Sequence, residues 1–241
     1  MDEYFKSQLP LQVTGLVDRI EIFAGREINV VIDTRPISPT DPNPDRLATE
    51  VTENSATIYL RERTKFPTHG VLHELLHIER FWIEGVPQIL PLNDPTGSNL
   101  QVTSSIENTL EHLLIVPREE VYGFEPYSYW NETDGRLWSM YPWPSIPDAW
   151  ARRKNFLLGW LSASSLVTDS DVRGHVESCL KKEGLWEEAL KFAEKIAKTI
   201  GSKPRAISTV LRFVNIPLKD VQLVKFDVLK GKRIAIPIPA H

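Results

Sequence analysis

Residues 73–77 read His-Glu-Leu-Leu-His, and nothing else in the chain narrows its fold and chemistry as much. On a helix, positions four apart share a face, with Cβ atoms about 6 Å apart. His73 and His77 are therefore spaced to hold one Zn²⁺, each imidazole at roughly 2.0–2.1 Å. Glu74 lies next to the first of them, placed to reach a zinc-bound water and act as its general base. Val71, Leu75, Ile78 and Trp82 form one apolar stripe, and Leu72, Leu76 and Ile83 form another. A helix apolar on two sides is largely buried. Its two histidines and glutamate then sit on a narrow polar side, where buried polar groups need partners. Pro67 suits the first turn, Gly85 the far end, and Pro87 cannot continue it, so the helix is predicted over Phe66–Trp82.

A hydrolytic zinc site wants a third protein ligand and an open fourth position. Residues Ile78–Ile83 contain neither glycine nor histidine, which excludes the metzincin continuation. A second helix is predicted over Ser104–Val116, closed by Pro117, with Ile106, Leu110, Leu113 and Leu114 as its core face. Glu107 and Glu111 stand four apart on a different face. This spacing fits the gluzincin arrangement, in which one carboxylate binds the metal and an acid one turn later orients a ligating histidine. Glu107 is assigned to the metal and Glu111 to the histidine. The reverse order, and His112 as a ligand, stay open. His69 continues the 69/73/77 face and is expected to line the helix start. Tyr122, Tyr127, Tyr129 and His175, the last four residues after Asp171, are candidates to stabilise a developing oxyanion. Cys179 is expected to be inert packing.

The strand Ala56–Leu60, the His73–His77 motif and the block from Glu107-Asn108 to Leu113-Leu114-Ile115-Val116-Pro117 together resemble the ImmA/IrrE-type metallopeptidase family. In that family a Glu-Ala-Asn…Leu-Leu-Met-Pro helix follows the HExxH motif. The resemblance covers about residues 55–117. Leu76 stands where the family usually has glycine, and Glu107-Asn108 is one residue shorter than the family spacing. The resemblance implies a zinc peptidase making limited cuts in a protein partner, often a transcriptional repressor.

The rest of the chain sets the frame. Leu16–Phe23 and Glu27–Ile32 read as a strand pair around Ala24-Gly25, and Pro36, Pro39, Pro42 and Pro44 mark a loop that cannot be helical. Residues 122–150, with four tryptophans, read as an irregular packed loop. Helices are expected at Ala149–Ser162, Asp171–Lys182 and Leu185–Ile200, with a short one around Arg205–Val214. Val221–Val228 and Arg233–Ile238 read as a hairpin around Lys230-Gly231. The expected class is α+β: a zincin-like core (1–120) with a small, mostly antiparallel sheet, a buried HExxH helix and a second ligand-bearing helix. A Trp/Tyr/Pro-rich part (121–180) and a basic helical segment ending in a β-hairpin (181–241) follow. An extended peptide substrate is expected beside Ala56–Leu60 by strand addition.

Composition excludes several classes. At 241 residues, 41% hydrophobic and 25% charged, the chain has the composition of a globular protein, which excludes disorder as a whole. No apolar run reaches the roughly 18 residues of a membrane helix, and Met1–Lys6 lacks the layout of a secretory signal. The single cysteine excludes an intramolecular disulfide and a zinc ribbon. A cytoplasmic protein with no membrane partner is expected. Residues 181–241 carry 13 basic and 6 acidic side chains, against 15 and 26 in residues 1–180. Ala197, Gly201, Ile207 and Ser208 have helix-turn-helix spacing, with Lys203, Arg205 and Arg212 where phosphates would lie. The main expectation is a zinc-dependent peptidase acting on a protein or peptide. The alternative is a regulatory or binding module with a zincin core, its zinc structural or absent, with DNA bound by the basic C-terminal helices.

Overall fold

The computed structural model describes residues 1–34, 47–60, 66–92, 98–143 and 148–239. The loop through Pro36, Pro39, Pro42 and Pro44, and residues 144–147 of the tryptophan-rich stretch, lie outside the described residues. The class is α+β. The chain divides into two compact units. One holds Met1–Gln88, Arg118–Phe124 and Val224–Ala235; the other holds Ile89–Pro117, Glu125–Leu223 and Ile236–His241.

In the first unit, α1 (Glu3–Lys6) leads into α2 (Leu11–Ala24). The strand pair expected around Ala24-Gly25 is therefore corrected: only its second half, β1 (Asn29–Ile32), is a strand. Val13, Leu16, Val17, Ile20 and Ala24 are buried, a helical stripe that outweighs the strand preference of the β-branched residues within it. Gly25 ends the helix at φ 63°, a left-handed conformation that glycine adopts without steric cost. β2 (Ala48–Val51) and β3 (Ala56–Leu60) complete a mixed three-stranded sheet in the order β1-β3-β2. β3 runs parallel to β1, with Asn29 opposite Thr57, and antiparallel to β2, with Val51 opposite Ala56. The expected strand addition beside Ala56–Leu60 is thus corrected, because β3 is the central strand and both its edges are already paired. Ala56, Ile58 and Leu60 alternate into the core, and α3 (Thr68–Trp82) packs on β2, β3 and α2. Seven apolar residues of α3, from Val71 to Trp82, are buried, as its two stripes require. The Trp82 indole donates to the Thr52 carbonyl at 2.8 Å, fixing the helix end to the β2–β3 turn.

The second unit is mainly helical. After β4 (Gln88–Pro91), α4 (Ser98–Glu119) runs for 22 residues. Pro117 does not close it, contrary to the sequence reading, but lies inside its last turn. Proline there lacks only one N–H and one helix bond, to the Leu113 carbonyl. The loop expected over 122–150 is also corrected, since α5 (Tyr127–Ser139) occupies its first half, burying Asp134 and Trp138 four residues apart. α6 (Ala149–Leu166), α7 (Ser170–Lys182), α8 (Trp186–Thr199) and α9 (Lys203–Phe213) follow close to the expected bounds. α6 is buried on several sides through Phe156, Leu157, Trp160 and Leu161, and packs on α5, α7 and α8. Gly159 admits the Trp138 ring: a Cβ there would lie 2.7 Å from Trp138 Cζ2. β5 (Val221–Asp227) and β6 (Lys232–Ile236), whose residues Val224–Ala235 belong to the first unit, are the expected hairpin strands, in a sheet of order β4-β5-β6.

α9 is a core helix, buried from Ala206 through Leu211 with Lys203. Ile207 and Ser208, read as part of a helix-turn-helix, are inside, and only Arg205 and Arg212 of that basic set are exposed. Among the described residues no helix is long and apolar enough to cross a membrane.

Candidate metal centre

The site is assembled on α3 and the end of α4. His69, His73 and His77 fall on one side of α3, a turn apart each. The rings of His73 and His77 have centroids 5.1 Å apart at an interplanar angle of 78°. His77 is 8% exposed and Glu74 9%, so both belong to the interior side of the helix. His73 Nδ1 lies 2.7 Å from Glu119 Oε1. His69 Nε2 lies 2.5 Å from Glu119 Oε2. The carboxylate itself is 2% exposed. One buried anion thus holds two imidazoles.

The electrostatics follow from those contacts. Burial works to raise the Glu119 pKa, but the hydrogen bonds and charges of His69 and His73 outweigh it and hold the carboxyl below the usual glutamate range. An ionised Glu119 only accepts, so His73 Nδ1 is the donor in this contact. That is the state a metal-binding histidine needs, with its second nitrogen donating to a carboxylate. His69 stacks on Phe124, with centroids 4.9 Å apart at 22°, and is 34% exposed. The donor chemistry fits a zinc ion: two imidazoles one turn apart and a carboxylate behind the first.

Glu119 was absent from the sequence reading. Pro117 had marked the end of the second helix, so the acid two residues beyond it was not placed on α4. The signal was present, because a proline in a last helical turn forfeits only one bond.

Glu107 and Glu111, read as metal ligand and histidine holder, have a different partner. Lys203, itself 7% exposed, donates to Glu107 Oε1 and, at 2.6 Å, to Glu111 Oε1. Glu107 Oε2 accepts from the Ile89 amide at 2.9 Å, so both oxygens of Glu107 are engaged. Burial raises the Glu107 pKa most; Lys203 opposes that rise and the Glu111 charge adds to it, leaving the carboxyl above the usual range. The predicted pair of acids is thus engaged by Lys203 and the Ile89 amide.

The remaining candidates also have identified positions. Tyr122 lies just past α4, its hydroxyl 3.4 Å from Arg19 Nη2. His175 Nε2 is 3.1 Å from the Trp138 carbonyl and 3.8 Å from Cys179 Sγ, so α7 holds this imidazole in a packed setting. Burial pushes the Cys179 thiol pKa up, in keeping with an inert thiol. His112 packs its ring on Trp130, centroids 4.8 Å apart. Comparison with protein-family models, curated proteins and solved structures finds no match to this chain.

Proposed function

We propose that the chain is a zinc-dependent peptidase with a zincin-like core, in which His73 and His77 bind the metal, Glu119 orients His73 and Glu74 is the general base. The observation that carries this reading is the Glu119 carboxylate on His73 Nδ1. A carboxylate on the far nitrogen of the first HExxH imidazole is the partner that a metal-binding histidine uses, which supports this reading over two ordinary histidines.

His112 is our third ligand. It lies seven residues before Glu119 on the same continuous helix, 20° short of two full turns, and so on the same side of α4 as the carboxylate that meets His73. Three imidazoles are a donor set that suits Zn²⁺ and leaves one position open. The Trp130 ring supports His112 from the flank. This assignment replaces Glu107, whose oxygens serve Lys203 and Ile89.

When bound, zinc supplies Lewis acidity and makes water a nucleophile near neutral pH. The protein residues do the rest. Glu74 takes a proton from the attacking water at its carboxylate and delivers it to the leaving amine. Glu119 holds the His73 ring in one orientation throughout. A peptide bond in a protein partner is the proposed substrate, following the resemblance to the ImmA/IrrE-type family. The test is zinc content measured together with cleavage of co-expressed candidate proteins. Glu74→Gln is expected to keep the metal and the fold and to lose cleavage; equal cleavage by that variant refutes the proposal.

A further inference from the structure

We infer that Arg118 is a positioning residue of the metal centre: bridging Glu79 and Glu84, it fixes the last turn of α4 so that Glu119 meets His73. This rests on the metal reading above. Arg118 Nη2 donates to Glu79 Oε2 at 2.7 Å and Nη1 to Glu84 Oε1 at 2.6 Å. Glu79 is 5% exposed and also accepts from Arg19. Glu84 also accepts from Arg80 at 2.9 Å. The guanidinium therefore forks onto two acids that are each held by another arginine, one on α3 and one just beyond its end.

Two features set this apart from an ordinary surface ion pair of little worth. The first is the burial of Glu79, which costs free energy unless its guanidinium partners stay in place. The second is Pro117, immediately before Arg118 and inside the helix. With no N–H for the Leu113 carbonyl, the turn bearing Glu119 is weakened from within, and its placement falls to side-chain contacts. Consecutive helix residues point about 100° apart, so Arg118 and Glu119 grip α3 at different places. Glu119 meets His69 and His73, and Arg118 meets Glu79 and Glu84. His73 and Glu79 are six residues apart, about 9 Å along the axis. Two contacts so separated fix the rotation of the α4 end as well as its distance.

The test is a double-mutant cycle on zinc affinity, with Arg118→Met, Glu119→Gln and the two combined, using competition against a zinc chelator. Arg118→Met is expected to weaken zinc binding about tenfold, and Glu119→Gln ten- to a hundredfold. The combined variant is expected to bind as Glu119→Gln does, because Arg118 acts only through Glu119. Arg118→Lys, which reaches one acid at a time, is expected to fall between wild type and Arg118→Met. A second readout is the ¹⁵N shift of the His73 ring in metal-free protein. It is expected to report a proton fixed on Nδ1 in wild type and a tautomer mixture in Arg118→Met. An undiminished loss from Arg118→Met in the Glu119→Gln background overturns the inference, as does an unchanged His73 tautomer. Failure of wild type to bind zinc refutes the metal reading instead, and the tautomer measurement still decides the role of Arg118.

Discussion

Removal of Lys203 is expected to destabilise the second unit strongly. Its ammonium lies between Glu107 and Glu111, which are 5% and 0% exposed. Lys203→Met keeps the volume and removes the charge, stranding two carboxyls four residues apart on α4. Coulomb's law at an effective dielectric of about 20 gives roughly 6 kcal/mol for the Lys203–Glu111 contact alone, and proton uptake by one acid recovers part of this. Losing one partner of a buried ion cluster typically costs about 3–5 kcal/mol. The loss depends on pH in a definite direction. The Glu107 carboxyl already titrates above the usual range, and without the lysine it rises further. A raised folded-state pKa gives stability that is present at low pH and lost as pH rises through it. The gap between variant and wild type is therefore expected to be about 3–5 kcal/mol at pH 7.5 and to shrink toward pH 5. Urea unfolding followed by tryptophan fluorescence measures it, because six of the seven tryptophans, all but Trp82, lie in the second unit. A difference below about 1 kcal/mol at pH 7.5, or a gap that widens on acidification, refutes the reasoning.

Other outcomes follow from single contacts. Burial pushes the Asp134 carboxyl from its usual 3.8 up to about 6. Because the folded-state value is raised, its contribution is full below pH 3.8 and lost as pH passes 6, about 3 kcal/mol in all; Asp134→Asn should flatten that part of the stability–pH curve. Gly159→Ala places a Cβ 2.7 Å from the buried Trp138 ring and should lower stability by about 1–2 kcal/mol in calorimetry, since overpacking exceeds the gain in helix propensity. His77→Ala should lose zinc and also some stability, measurable as a lower Tm only in zinc-loaded samples, because metal binding contributes to folding.

Parts of this structure were legible from the sequence because one physical signal dominated locally. The α3 stripes, Val71-Leu75-Ile78-Trp82 and Leu72-Leu76, required a buried helix, and burial of seven apolar α3 residues answers that requirement. β3 was legible from its alternation. α2 was misread because Val13, Val17, Ile20 and Ile22 favour strands as single residues, although the spacing Val13-Leu16-Val17-Ile20-Ala24 is helical. α5 was hidden by tryptophans and tyrosines, whose packing partners on α6 and α7 are remote in sequence. The candidate metal centre divided in the same way. His73, Glu74 and His77 come from one helix and could be read together. Glu119, Arg118 and Lys203 depend on tertiary partners 46, 39 and 96 residues away, and no local pattern encodes such pairings. Lys203 looked like a phosphate contact because lysine is seldom buried, and only the two acids of α4 show why this one is.

Zinc bound per chain, after exhaustive dialysis, in wild type, His112→Ala and Glu107→Gln tests the site most directly. One equivalent is expected in wild type and in Glu107→Gln, and none in His112→Ala. Zinc retained by His112→Ala but lost from Glu107→Gln would move the third ligand back to the carboxylate, and no zinc in wild type would contradict the metal centre itself.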